Sequence, residues 1–276
     1  MMKHSKLFKV VSLIGISVLT MGLFVGCGSP ATKTTDTSAQ TAEASPENST
    51  EPTNSDNVIV MGTNAEFEPF EYRDGLDIVG FDVEIAKAVA NKLGKELKIE
   101  DMAFDSLIMG LNNEKMDFIA AGMTATEERA QQVDFSDSYF KSKQVIIVKT
   151  DNTEITSADD LVGKSVGVQL GTTGDLFVSG TEGVTVVQVK KGTQAVMDLQ
   201  NGKVDAVVID EEPAKKMIAG KTDVKILEVP FIEEEYAIAV KKGNTELLNT
   251  INETIEELKA NGEYDKIYEQ FFGKTE

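Results

Sequence analysis

The chain has only two arginines, Arg73 and Arg129, against 25 lysines. Arg129 stands in the stretch FIAAGMTATEERAQQVDFSDSYF, Phe118 to Phe140. There a short apolar run leads to a turn at Gly122, a threonine-rich corner, and a helix start where Thr126 precedes Glu127 and Glu128. A threonine that accepts from first-turn amides, with acids beside it, is a helix-opening signature. In open α/β sheets such strand ends are where ligands bind. The planar guanidinium of Arg129 offers two parallel donors that match a carboxylate, and backbone groups at Gly122 and Thr124 can meet the rest of a small polar ligand. The alternative for the same residues is a solvent-facing helical arginine paired with a glutamate.

Composition removes several other chemistries. The single histidine, His4, lies in an N-terminal leader, there is no tryptophan, and Cys27 is the only cysteine. The chain after the leader therefore has no Ser-His or Cys-His nucleophile pair and no His or Cys zinc site, and neither a cofactor nor a metal is expected. Net charge is −19; without Lys3, Lys6 and Lys9 it is −22, from 24 basic and 46 acidic residues. That makes nucleic acid and anionic lipid poor partners and suits the solubility of an exported protein.

The leader itself has three lysines and then an uncharged apolar stretch from Val10 to Val25, the pattern of an export signal over 1–26. At about 16 residues the stretch is short for a spanning helix, which needs roughly 20. Its ending, Phe24-Val25-Gly26-Cys27, resembles a bacterial lipobox, in which the chain is cut before the cysteine and the thiol is lipidated. Phe24 stands where leucine is commonest. Residues 29–56 are Ser, Thr, Pro, Ala and acids without a large apolar side chain, so with Cys27 they read as a disordered tether of roughly 30 Å.

From Asn57 onward apolar runs alternate with helical patterns. Strands are predicted at Val58 to Met61, Leu97 to Met102, Asp117 to Ala120, Gln144 to Val148, Ser165 to Val168, Thr185 to Val189, Ala206 to Ile209 and Tyr236 to Val240. Helices are predicted from Asp82 to Leu93, where Ile85, Val89 and Leu93 share a face, and from Thr245 to Ala260, where Leu247, Ile251, Ile255 and Leu258 do. Such alternation implies βαβ units with mostly parallel sheets, an α/β class. The pattern restarts after Val148, which predicts two lobes, 57–147 plus 238–276 and 148–237. Val148 and Ile238 would sit on a two-strand hinge.

Five motifs carry a resemblance to a known family: GFDVEIAKAVANKL from Gly80, AAGMTATEER from Ala120 with DFSDSYF from Asp134, GVQLGTTGD from Gly167, DAVVID from Asp205, and NGEYDKIYEQFFG from Asn261. Over Val58 to Gly273 the chain resembles the extracellular solute-binding proteins of family 3, the substrate-binding lipoproteins of polar amino-acid ABC importers, with the type II periplasmic-binding-protein fold. The resemblance implies that Arg129 holds a ligand α-carboxylate, helped by the backbone at Thr124 and by the Thr172-Thr173 corner. A helix opening there points free amides at an anion. It implies that Asp210 receives the α-ammonium with the Gly122 carbonyl and the Thr124 hydroxyl, although Asp210 also reads as a helix N-cap ahead of Pro213. Phe67 and Phe104 match rings that sandwich the ligand side chain; core packing is the other reading of both. Met123 falls within the same corner.

The side-chain end of the site is expected at Asn64, Glu66 and Gln169, with Asp105 as a further acceptor. Asn64 stands where many relatives with cationic or amide ligands carry aspartate, so the extra acid is assigned to Glu66. The ligand expected is arginine or lysine, followed by glutamine and then cystine. The protein is read as a monomeric, lipid-anchored receptor on the bacterial cell membrane that hands an amino acid to a permease, and not as an enzyme. A dehydratase-like enzyme using Glu66, or a sensor module acting in trans, are the alternatives of other classes.

Overall fold

The computed structural model describes residues 57–227 and 232–274. The expected export signal, Cys27 and the expected tether lie outside them. The chain begins with β1 (Val58–Thr63), forms a small ribbon of β2 (Glu66–Phe67), β3 (Glu71–Asp74) and β4 (Asp77–Val79), and enters α1 (Phe81–Lys92). Next come β5 (Glu96–Asp101), α2 (Leu107–Asn112), β6 (Phe118–Ile119), α3 (Glu127–Ala130) and β7 (Val133–Phe135). A second series follows: β8 (Phe140–Lys149), β9 (Ser165–Gln169), α4 (Thr173–Gly180), β10 (Thr185–Val189), α5 (Gly192–Gln200), β11 (Ala206–Asp210), α6 (Glu211–Ile218), β12 (Val224–Ile226) and β13 (Ile232–Tyr236). The chain ends with β14 (Ala239–Lys241), α7 (Thr245–Ala260) and α8 (Glu263–Phe272).

These strands make two main sheets, each the centre of an α/β lobe. The first has the order β5-β1-β6-β14-β7 and the second β10-β9-β11-β8-β12, with β13 also paired to β8. Strands with helices on both sides are apolar on both faces, as in β11, which is buried at every residue. Helix α7 buries Leu247, Ile251, Ile255 and Leu258, the stripe its periodicity predicts. Between the lobes, Phe70, Phe81, Phe140, Tyr236 and Phe272 form an aromatic cluster, with the Phe70 and Phe140 rings edge-on at 4.8 Å. Two of its members, Phe140 and Tyr236, stand opposite each other where the chain changes sheet.

Three expectations need correction. The sheets are mixed, because β8 runs antiparallel to β11, β12 and β13, and β14 runs antiparallel to β6 and β7. Only the βαβ segments, around β1 and β9, are parallel. The first crossing is not at Val148: β8 keeps an unbroken register in the second sheet from Phe140, opposite Tyr236, to Lys149, opposite Val224. The chain therefore crosses before Phe140. Finally, Tyr236 to Val240 is not one strand, since β13 and β14 belong to different sheets and Ala237 and Ile238 connect them.

Candidate ligand-binding site

Where β6 ends, Gly122 adopts φ +53°, and a Cβ there would lie 2.7 Å from a ring carbon of Phe67. Glycine is required on both counts. Its N–H donates to Asp82 Oδ2 at 2.8 Å, and the Tyr139 hydroxyl donates to the same oxygen at 2.6 Å. Asp82, fully buried in the first turn of α1, thus holds the corner; burial raises its pKa to about 6, opposed by those two donors.

Thr126 then caps α3 by accepting from Arg129 N at 3.2 Å. The helix is a single turn, so Arg129 is turned inward rather than along a solvated face. Its exposure is 7%, and Nη1 and Nη2 donate to the carbonyls of Thr124 and Gly171 at 2.8 and 3.0 Å. The guanidinium carbon lies 5.3 Å from the Phe104 ring centre. No carboxylate among the described residues forms an ion pair with it, which removes the surface-arginine alternative. Burial lowers its pKa, Glu234 and Asp210 oppose that, and arginine stays charged in any case.

The second lobe presents a similar corner. Gly171 has φ +80°, and Thr172 caps α4 by accepting from Asp175 N at 3.2 Å. First-turn amides of a helix have no carbonyl partner within it, so this end suits an anion. Asp210 closes β11 at 5% exposure. It occupies the N-cap position of α6, yet its side chain does not cap. Instead the carboxylate accepts from Ser142 Oγ at 3.1 Å, Gln144 Nε2 at 2.9 Å and the Tyr236 hydroxyl. Burial, then the nearby Glu234, raises its pKa well above the carboxylate range.

One cavity brings together Asn64, Phe67, Phe104, Gly122, Thr124, Arg129, Gln169, Thr172, Thr173 and Asp210. Its free space is about 10 Å³, roughly the room for one water. Two contacts bridge it: Gln169 Nε2 donates to Asn64 Oδ1 at 2.9 Å, and Arg129 reaches Gly171. An amino acid enters only by parting these groups.

Two assigned residues lie elsewhere. Met123 is 1% exposed in the core with Leu107 and Ile119, because the extended chain alternates and Gly122 and Thr124 take the cavity side. Glu66 points outward and pairs with Lys191 at 2.5 Å beside a surface groove. The extra acid of the cavity is Glu71, which was missed. It is fully buried on β3, with its carboxyl group within hydrogen-bond reach of the Asp82 carboxyl group and no other polar side chain bonded to it. Burial, then the charge of Asp82, pushes its pKa well above the usual range. In sequence it sits in an acidic segment that reads as loop; its one signal is position, directly after the buried Phe70. Glu234 was also missed, within the run Glu233-Glu234-Glu235, yet the period of two places it on the buried face of β13 with Tyr236.

A model of the bacterial extracellular solute-binding proteins, family 3, matches residues 59–274. The chain belongs to this family. Among its relatives, the arginine-binding extracellular protein ArtP of Bacillus subtilis is 37% identical over 220 residues, 78% of this chain and 86% of ArtP. Among solved structures, a mutant of the arginine-binding protein ArgBP from T. maritima superposes with a TM-score of 0.77 at 46% identity, covering 80% of this chain and 97% of that one. An ancestral arginine-binding protein, solved bound to arginine and bound to glutamine, gives 0.76 at 46% identity, with 79% and 99% covered. The two lobes are those of the type II fold, and membership places the protein outside the cytoplasm. Among the described residues no group of three or more His, Cys, Asp or Glu is arranged to hold a metal ion.

Proposed function

We propose that the protein captures a free L-amino acid, arginine ahead of lysine, between its lobes and delivers it to the permease of an ABC importer. The observation that carries this reading is the charge pattern of the cavity: one buried cation, Arg129, and two buried acids, Asp210 and Glu71. A ligand with one carboxylate and two cationic groups complements it. The α-carboxylate meets Arg129 and the first-turn amides of α4, and the α-ammonium meets Asp210, Thr124 and the Gly122 carbonyl. Glu71 receives the side-chain cation, a planar guanidinium fitting its two oxygens and the faces of Phe67 and Phe104. Because these groups come from both lobes, the ligand stabilises the closed state relative to the open one.

Lipidation at Cys27 and the tether would hold a monomeric receptor near its permease. The reading is of a binding protein and not an enzyme: Glu66, the residue nominated for a dehydratase, faces away from the cavity. Glutamine is the second reading, favoured by the Asn64 and Gln169 amides that line the cavity.

The experiment is thermal unfolding of residues 28–276, refolded free of carried-over ligand, against the common amino acids, ornithine and cystine. Arginine is expected to give the largest rise in melting temperature. Glu71→Gln is expected to weaken arginine by roughly 10- to 100-fold and glutamine little. A wild-type shift with glutamine alone would replace the first reading by the second, and no shift with any amino acid would refute both.

A further inference from the structure

Behind Asp210 lies a second buried carboxylate. Glu234 is 4% exposed on β13, and its Oε2 accepts from Thr124 Oγ1 at 3.0 Å and from Gln144 Nε2 at 3.2 Å. The same Gln144 nitrogen donates to Asp210 Oδ2 at 2.9 Å, so one amide ties the two acids together. Glu234 Oε1 is buried without a hydrogen-bond partner. The placement is fixed by backbone: Thr124 bridges Tyr236, Ala125 N donates to Glu235 O at 3.1 Å, and Ala237 N donates to Met123 O at 3.0 Å.

We propose that Glu234 is a positioning residue of the α-ammonium subsite, orienting the Thr124 hydroxyl through the bond that this hydroxyl donates to it. A threonine hydroxyl has one proton. With that proton committed to Glu234, only lone pairs remain for the cavity, which suits an ammonium and disfavours a ligand group that accepts. Gln144 is held in the same way, with its N–H groups turned to the two acids.

The inference rests on the amino-acid reading of the site, and its test separates the two. Binding is measured for L-arginine and for 5-guanidinopentanoate, which is arginine without its α-ammonium, by displacement of radiolabelled L-arginine so that weak affinities are readable. Glu234→Gln is expected to weaken L-arginine by roughly 10- to 100-fold while leaving the analogue within about two-fold. Thr124→Val is expected to do the same, and the double variant to lose less than the two effects combined, because both act through one hydrogen bond. Unchanged binding of L-arginine by Glu234→Gln, or equal losses for both ligands, would overturn the role. Should Glu234→Gln fail to fold, Thr124→Val decides: equal losses for both ligands there overturn it. A wild-type protein that binds no amino acid would take the proposed function down as well, whereas normal wild-type binding with no discrimination in the variants removes this inference alone.

Discussion

The two corners that face each other across the cavity are built on one plan. Each has a glycine at positive φ, Gly122 or Gly171, followed by a threonine that caps a helix, Thr126 or Thr172. In each, a buried aspartate accepts the glycine N–H: Asp82 at 2.8 Å and Asp175 at 2.9 Å. They differ in where that aspartate comes from. Asp175 is four residues from Gly171 and three from its cap, and it also accepts from Ser179 and Gln188 at 3.0 and 2.8 Å. Asp82 is forty residues from Gly122, on α1. The second corner supports itself, whereas in the first the position three residues after the cap is released from that duty and carries Arg129. Bringing the support from elsewhere in the fold is what allows a cation to face the cavity.

The largest effect is expected from Arg129→Ala. It should weaken the cognate amino acid by about 3–5 kcal/mol, because a buried carboxylate loses its charged partner. Isothermal titration checks it; binding as tight as in the parent would end the distinction between the corners. Next is a pH effect confined to the first corner. Asp82 titrates near pH 6 when folded, above the ordinary value of about 3.9, so its proton stabilises the fold fully below about pH 4 and that stabilisation is lost as pH rises through 6. Denaturant unfolding should show an advantage of wild type over Asp82→Asn that shrinks by on the order of 3 kcal/mol between pH 4 and 7. A constant difference would mean that Asp82 does not titrate there.

Asp175→Ala should lower unfolding stability by about 1–3 kcal/mol, since the N–H of Gly171 and the amide of Gln188 lose a buried acceptor. Unliganded Arg129→Ala is expected to lose less than this. Equal melting-temperature losses would mean that both corners serve the fold alike. The smallest change concerns the rim, where Lys191 pairs with Glu66 and Lys216 with Glu68 at 3.3 Å, all partly exposed. Lys191→Ala with Lys216→Ala should alter ligand affinity by less than about 1 kcal/mol, and 0.5 M salt should mimic it.

Sequence patterns identified most of what local chemistry controls. The stripe of α7, the strand at Thr185–Val189 and both threonine caps follow from periodicity and short-range hydrogen bonds, and so were readable residue by residue. The antiparallel β13 and the ribbon β2 to β4 were not, because their residues are largely acidic and read as solvated loop. Glu71 and Glu234 were missed for that reason. Glu66 was assigned because it lies between Asn64 and Phe67 in sequence, but a strand sends neighbouring side chains to opposite faces, and it is Phe67 that lines the cavity.

By itself the sequence determined which residue types were available: no histidine beyond His4, two arginines, a surplus of acids, and glycine-threonine corners that build helix starts. These are properties of composition and of interactions within a few residues. Which acids face the cavity was decided only by the tertiary structure. A carboxylate in an acidic chain is ordinary in water, and becomes a charge that demands a partner only when the packing of two lobes removes the solvent from around it.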